Sequence, residues 1–123
     1  MTDIFLSQGF TSFIRKEGIA DQDIKDAVSE MDKGLIDVTL GNGLYKKRIA
    51  RKGQGKRGSY RVIVAFRSGK NVFLLYGFTK NERDNITIKE LLAFRALAKV
   101  YFNFTEGDLQ TLVASNKLRK VCR

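Results

Sequence analysis

Histidine, proline and tryptophan are absent from this 123-residue chain, and cysteine occurs only once. Without histidine the chain can form no zinc site of the Cys/His type, and it lacks the side chain that most often serves in acid–base catalysis. The single cysteine, Cys122, allows no intramolecular disulfide and no cysteine metal cage, which favours a reducing compartment. Because proline is missing, glycine, asparagine and capping residues must end the helices and strands.

Long apolar segments are also missing, since no apolar run approaches the roughly 20 residues that a membrane-spanning helix needs. Residues 1–5 show neither the basic region nor the long apolar region that mark a secretory signal. We therefore expect a cytoplasmic protein that does not contact a membrane. The length, with 43% apolar and 29% charged residues, predicts a single domain over residues 1–123 with one modest core.

Acidic residues are missing from the middle of the chain, and this absence is the strongest signal in the composition. The net charge is +10, but residues 1–37 carry −4, residues 38–81 carry +11 and residues 82–123 carry +3. A block of bases without an acid repels itself, so it indicates an anionic ligand. RNA fits this block because neutralising several phosphates releases counterions. A solvated strand face in a generally basic protein is the alternative explanation.

The spacing of apolar residues predicts two helices near the N-terminus. One covers residues 7–16 and ends at Gly18, and the other begins at Asp21 and ends at Gly34. A third helix is expected after the capping box formed by Thr87 and Glu90. A last short helix is expected to start at residues 105–108.

Four strands are expected between these helices, and an edge strand is expected near the C-terminus. The tight turn Gly41-Asn42-Gly43 predicts a hairpin. The predicted strands cover residues 35–40, 44–50, 60–66, 72–78 and 118–121, and 60–66 is a β-branched run typical of a buried strand. This order predicts an α+β fold, in which two N-terminal helices and the C-terminal helices pack on a small antiparallel β-sheet.

Residues 53–58 match the pattern G-x-G-x-x-G. A dinucleotide-binding fingerprint must open a helix, whereas this segment leads into a predicted strand. Ser59 stands where a P-loop has its lysine, so that reading fails as well. We interpret the segment as a loop that carries Lys56 and Arg57 and whose backbone can lie close to a phosphate chain. A plain hairpin connection is the alternative.

Basic side chains recur on three neighbouring elements. Lys46 and Arg48 are two residues apart on one predicted strand and therefore share a face. Arg61 lies early on the next strand, and Lys80 follows the third. Aromatic residues interleave with these cations and are candidates for stacking on unpaired bases, with core packing as the alternative for each: Tyr45, Tyr60, Tyr76 and Phe78.

A surface of this kind has groups that can cleave RNA by transesterification. The reaction needs a base for the 2′-hydroxyl, a group that stabilises the crowded phosphate and an acid for the departing 5′-oxygen. Neighbouring positive charge lowers a lysine pKa from its usual ~10.4, which makes lysine a candidate base. A metal-dependent nuclease would place carboxylates near the basic face, and residues 38–81 contain none. We therefore expect a reaction without a metal or another cofactor.

Three segments carry more specific motifs: residues 41–50 (GNGLYKKRIA), 53–61 (GQGKRGSYR) and 76–85 (YGFTKNERDN). They resemble the RelE/HigB superfamily of bacterial toxins, especially the HigB-like branch with a G-x-G-K-x-G-x-x-R loop and a Y-G-F-x-K-x-E-R-D-N segment. The resemblance covers residues 35–121. It implies a fold like that of the microbial RNases and a type II toxin that cleaves mRNA on the ribosome. It also implies a cognate helix-turn-helix antitoxin, with operator DNA bound only through the toxin–antitoxin complex.

The resemblance also suggests roles for individual residues. Lys46 and Arg48 resemble the paired basic residues of the first long strand, and Arg61 resembles the arginine that stabilises the scissile phosphate. Lys80 and Arg83 fall within the basic motif after the third strand, which completes the expected catalytic set. The expected RNA-binding residues are Arg51, Lys52, Lys56, Arg57, Tyr60 and Tyr76.

The chain departs from the best-studied members of the superfamily at two positions. It has Asn81 where they have arginine and Thr87 where they have tyrosine. Tyr60 and Tyr76 are the candidates to replace that tyrosine, and the residues leave the general base open between Lys46 and Lys80. Two other functions also remain open: a toxin of the ParE type that inhibits DNA gyrase, and an RNA-binding module without catalysis.

Overall fold

A computed structural model describes residues 3–50 and 59–122 of the chain. These residues form six strands and four helices, which follow one another in the order β1, α1, α2, β2, β3, β4, β5, α3, α4, β6. The helices are α1 (Gln8–Glu17), α2 (Asp21–Asp32), α3 (Ile88–Phe102) and α4 (Glu106–Ala114). The strands are β1 (Ile4–Ser7), β2 (Val38–Gly41), β3 (Leu44–Ala50), β4 (Ser59–Ala65), β5 (Val72–Thr79) and β6 (Leu118–Val121). The α+β class is confirmed.

The strands form one sheet in the order β2-β3-β4-β5-β1-β6. Strands β2 to β5 follow one another as an antiparallel meander, and β6 is the edge strand that the sequence predicts. However, β1 runs parallel to β5, so the sheet is mixed and the prediction of an antiparallel sheet was wrong at this position.

The missing element in the sequence prediction was β1. Its residues Ile4, Phe5 and Leu6 are all buried, because β1 lies between β5 and β6 with helices on both faces of the sheet. A strand buried on both faces reads as a short apolar run without alternation, and four residues give no periodic signal. Its pairing with β5 and β6, and not a local pattern in the sequence, identifies this segment as a strand.

Each face of the sheet has its own apolar cluster. On the face that we call the α1–α2 face, Phe10 and Ile14 of α1 pack with Val28 of α2 against the central strands. On the opposite face, the α3–α4 face, Ala98 of α3 and Leu109 of α4 pack against the other side of the same strands. The alternation of side chains along β3, β4 and β5 therefore decides which residues meet which pair of helices.

Two short sequence features place the strands that carry the basic residues. In the hairpin between β2 and β3, Asn42 and Gly43 have φ angles of 56° and 78°, as a tight primed turn requires. On β5, a Cβ atom at Gly77 would lie 2.5 Å from the Phe13 ring, so glycine lets α1 approach the strand closely. The neighbours of Gly77, Tyr76 and Phe78, then project to the α3–α4 face.

Candidate nucleic-acid interface

The register of β3, β4 and β5 brings basic side chains together at one end of the α3–α4 face. Arg48 pairs with Arg61 across β3 and β4, and Arg61 pairs with Phe78 across β4 and β5. In the adjacent row, Lys46 and Tyr76 flank the same residue of β4. Since neighbouring strands lie ~4.8 Å apart, these side chains form one surface. We call Lys46, Arg48 and Arg61 the basic patch.

Arg48 and Arg61 occupy directly opposite positions in the sheet. Like charges in such a pair destabilise an antiparallel sheet. The Arg61 guanidinium donates to the hydroxyl and the carbonyl oxygen of Ser59, both of which are uncharged. Within residues 3–50 and 59–122, neither arginine forms a salt bridge with a carboxylate. The charges of Arg48 and Arg61 are therefore not neutralised by a carboxylate in the part of the chain that the structure describes.

Two contacts orient the β3 residues of the basic patch. The Lys46 Nζ atom donates to the Asn85 Oδ1 atom at 3.4 Å, and the same oxygen accepts from the backbone N–H of Ile86 at 2.9 Å. The backbone N–H of Arg48 donates to the Asp37 Oδ2 atom at 2.5 Å. As a result, the Arg48 backbone is tied to the segment that precedes β2, and the Lys46 amine points toward the segment that precedes α3.

Arg83 is bound within the protein more extensively than the basic patch is. Its guanidinium donates two hydrogen bonds to the Glu90 carboxylate, at 2.9 and 2.5 Å, one to the Asn85 carbonyl at 3.0 Å and one to the Tyr76 hydroxyl at 3.3 Å. The bonds from Arg83, followed by one from the Thr87 backbone, lower the pKa of Glu90 to about 2. The bonds to Glu90 and then Tyr76 raise the pKa of Arg83. Arg83 therefore joins β5, the segment before α3 and the first turn of α3 at the edge of the basic patch.

Tyr76 is the aromatic residue that the basic patch shares with α3. Its half-buried ring stacks on Phe94 of α3, with the ring centroids 5.7 Å apart, and lies 5.9 Å from the Phe78 ring. Because the Tyr76 hydroxyl oxygen accepts a hydrogen bond from Arg83, its own proton can be donated to another acceptor. Tyr76 thus combines a ring packed between α3 and β5 with a hydroxyl that Arg83 positions.

Tyr60 does not belong to this surface, so its place among the expected base-stacking residues is corrected. Only 6% of the residue is exposed, and it lies in the core cluster of the α1–α2 face. Its hydroxyl donates to the Glu17 carbonyl at 3.2 Å, and its ring packs edge-on against Phe13. Since Tyr60 is adjacent to Arg61 in β4, the alternation of the strand places the two side chains on opposite faces.

Two further cations of the acid-free segment are used inside the protein. Lys47 projects to the α1–α2 face, where its Nζ atom forms a salt bridge of 2.8 Å with Glu30 of α2. Arg67 lies beyond the other end of β4 and stacks over the Phe102 ring, 4.2 Å from the ring centroid. One cation of the acid-free segment is therefore neutralised by a carboxylate of α2, and another is used in contact with an aromatic ring.

The remaining expected site residues lie at the margin of the basic patch or outside the described residues. Lys80 is exposed in the turn that follows β5, where the backbone N–H groups of Glu82 and Arg83 donate to the Thr79 carbonyl. Arg51, Lys52, Lys56 and Arg57 lie outside the described residues. The strand that the sequence predicts after the glycine-rich segment is confirmed, since β4 starts at Ser59.

In residues 3–50 and 59–122, no group of three or more acidic or cysteine side chains is placed to hold a metal ion. No helix formed by these residues is long and apolar enough to cross a membrane.

Comparison with known families decides the class of protein. The family model described as the RelE toxin of the RelE / RelB toxin-antitoxin system matches residues 2–121. The chain belongs to the RelE toxin family. This confirms the resemblance to the RelE/HigB superfamily that the three motifs carry, and it implies an antitoxin partner for this RelE toxin.

Three residues of this RelE toxin's site were not among the sequence candidates. Asn85 joins Lys46 to the loop before α3, Glu90 holds Arg83, and Phe94 stacks on Tyr76. Glu90 was recognised only as part of the capping box, which the structure confirms. The sequence signal available for Asn85 was its place in the 76–85 motif, but its partner is 39 residues away.

Proposed function

We propose that this RelE toxin is a ribosome-dependent endoribonuclease that cleaves mRNA without a metal and thereby inhibits translation. The observation that carries the proposal is the basic patch beside Tyr76, which forms no salt bridge within residues 3–50 and 59–122. Arg48 and Arg61 face each other at a cost to the sheet, and Lys46 and Tyr76 add a candidate base and a candidate acid in the next row. Members of the family are generally endoribonucleases, which supports the same activity.

The proposed reaction is a transesterification at one phosphodiester. Lys46 accepts the proton of the 2′-hydroxyl, and the 2′-oxygen forms a bond to phosphorus. Arg61 and Arg48 stabilise the negative charge that builds up on the phosphate oxygens. The bond from phosphorus to the 5′-oxygen breaks, and Tyr76 donates its proton to that oxygen. The products are a 2′,3′-cyclic phosphate and a 5′-hydroxyl end.

Lys46 is preferred to Lys80 as the general base because it shares a face and a row with Tyr76. Lys80 lies in the turn that follows β5, and we assign it a contact with the RNA backbone. Arg83 is a positioning residue in this proposal, since its hydrogen bond directs the Tyr76 hydroxyl. We assign the same role in backbone contact to the remaining basic residues: Arg51, Lys52, Lys56 and Arg57.

The proposal extends to the partners and the compartment of the toxin. Ribosomes and mRNA are its targets in the cytoplasm, and its antitoxin is a helix-turn-helix protein that inhibits it. Operator DNA is contacted only through the complex with that antitoxin. A growth assay tests this part: expression of the toxin alone arrests growth, and co-expression of the neighbouring reading frame restores it.

The decisive experiment maps RNA ends on translating ribosomes by primer extension. We expect new mRNA ends that carry a 5′-hydroxyl, with a 2′,3′-cyclic phosphate on the other fragment. Arg61→Ala should lower the cleavage rate by ~10²–10³-fold, as for loss of one donor to a developing anion. Arg67→Ala is the matched control, since it removes the same charge about 20 Å away along the strand direction.

Three outcomes would contradict the proposal. Intact mRNA together with gyrase-dependent DNA damage would indicate a ParE-type toxin. Intact mRNA that is nevertheless bound would indicate an RNA-binding module without catalysis. Equal cleavage by the Arg61→Ala and Arg67→Ala variants would show that the basic patch is not the active site.

A further inference from the structure

The solvent side of α3 carries a row of large apolar residues, although no residue that the structure describes covers it. Of the 15 residues in this helix, only Ala98 is buried. The exposed fractions of Ile88, Leu92 and Val100 are 78%, 57% and 49%. These three are among only five large apolar residues that are exposed within residues 3–50 and 59–122.

The exposed apolar residues of α3 form one continuous stripe. Ile88, Leu92, Ala96 and Val100 follow each other at intervals of four residues and are all exposed, so they lie along one side over ~18 Å. The opposite side of the helix already packs on the sheet through Ala98 and its neighbours. An exposed apolar patch on a helix whose other side is already packed marks an interaction site.

The fully exposed charges of α3 itself are positive. Lys89 and Lys99 are exposed on the same side of α3. The helix contains one acid, Glu90, and its carboxylate is bound by Arg83. A complementary partner therefore presents apolar side chains bordered by carboxylates.

We propose that the stripe Ile88, Leu92, Ala96 and Val100 is the docking surface for an acidic amphipathic helix of the cognate antitoxin. The partner is the antitoxin because family membership implies one and because the charge of α3 selects an acidic segment. A helix matches a straight apolar stripe of this length, since its own apolar residues recur at the same spacing. The inference rests on family membership and does not depend on the proposed RNA cleavage.

The position of the stripe also explains how such a partner would affect the toxin. The same helix supplies Glu90 and Phe94, which hold Arg83 and stack on Tyr76. An acidic helix along the N-terminal half of α3 would lie beside the basic patch and compete there with RNA phosphates. Docking on α3 would then block the site from its edge.

The test compares two exposed leucines on different surfaces. Leu92 is 57% exposed on the stripe, and Leu35, in the connection between α2 and β2, is 56% exposed. The antitoxin probe is the product of the neighbouring reading frame whose co-expression restores growth. Each variant is co-expressed with it, separated in denaturant, refolded, checked by circular dichroism and titrated by calorimetry. We expect Leu92→Glu to weaken binding at least ~30-fold, as for an interface hot spot, and Leu35→Glu to leave it unchanged.

A second variant tests the charge of the partner. The double change Lys89→Glu and Lys99→Glu should weaken antitoxin binding and reduce its dependence on salt, while the fold remains intact. Antitoxin affinity that is unchanged in both the Leu92 variant and the double variant would overturn the proposal. So would loss of self-association by Leu92→Glu with unchanged antitoxin affinity, because the occupant would then be a second copy of the toxin.

Discussion

The two faces of the sheet use the same kind of residue in opposite ways. On the α1–α2 face, the Lys47 side chain is only 8% exposed and is neutralised by Glu30 at 2.8 Å. On the α3–α4 face, its neighbours Lys46 and Arg48 stay accessible, and Arg48 faces Arg61 instead of an acid. One strand thus contributes a structural cation to one face and candidate functional cations to the other. A segment that is basic in sequence therefore does not form one continuous binding surface.

The difference follows from how completely the helices cover each face. On the α1–α2 face, the β4 residues Val62 and Val64 are fully buried beneath α1 and α2. On the α3–α4 face, Ile63 is fully buried, but Arg61, two residues earlier in the same strand, is half-buried at the end that the helices leave open. A charge can remain unpaired only where it reaches water or a ligand, because an unpaired buried charge is costly.

The largest expected effect comes from substituting Lys46, and it is compared with the same substitution at Lys47, its neighbour in β3 on the opposite face. Lys46→Gln should lower single-turnover cleavage on programmed ribosomes by ~10²–10⁴-fold, the usual range for loss of a general base. Lys47→Gln should leave the rate per folded molecule within a few-fold, because this side chain lies on the other face. The folded fraction of each variant is measured by circular dichroism. Equal losses in both variants would contradict the division between the faces.

A smaller effect, on stability, is expected from the salt bridge between Lys47 and Glu30 on the α1–α2 face. Glu30→Gln leaves the buried Lys47 ammonium without its carboxylate and should reduce the free energy of unfolding by about 1 kcal/mol, since Glu30 is itself half-exposed. Lys47→Met keeps an apolar chain of similar length and should cost less, because removing both charge and burial penalty is often neutral. Urea denaturation compares them. A larger loss in the methionine variant would refute this account.

The smallest effect is expected from the ion pair between Arg83 and Glu90 on the α3–α4 face, and it depends on pH. The folded-state pKa of Glu90, about 2, is lower than its ordinary value of 4.5, so the ion pair with Arg83 stabilises the fold above the ordinary value. That contribution is lost as the pH falls through about 2. Glu90→Gln keeps a side-chain acceptor for the helix cap but removes the charge. The variant should be less stable than the unmodified chain at pH 7, and the difference should shrink toward pH 2.

Thermal melting of both proteins across this pH range provides the measurement. Glu106→Gln in the first turn of α4 is the control, because that residue occupies a similar helix-terminal position without a salt bridge among the described residues. A stability difference for Glu90→Gln that stays constant from pH 7 to pH 2 would contradict the assigned role of its charge.

Much of the fold was predictable because its signals are local. The hairpin at Asn42 and Gly43 needs two positive φ angles, and the capping box of Thr87 and Glu90 needs only four consecutive residues. The internal strand β1 was not predictable, because it has no alternation and its parallel partner β5 lies more than sixty residues away. Local chemistry specifies turns and caps, whereas a strand buried on both faces is specified by its neighbours.

The candidate site was predictable to the extent that strand alternation reaches. Alternation places Lys46 and Arg48 on one face, and the same rule separates Tyr60 from Arg61 and explains why Tyr60 is a core residue. The contact between Lys46 and Asn85 lies beyond any local rule, because it joins a strand to a loop 39 residues later.

By itself, the sequence determined that this toxin has no histidine, concentrates positive charge in residues 38–81 and places alternate strand residues on opposite faces. Only the tertiary structure decided which cations are neutralised. Lys47 meets Glu30, Arg83 meets Glu90, and Arg48 meets Arg61. The reason is that the energy of a charge depends on its distance from other charges and from water. Those distances are established only when the helices pack on the sheet.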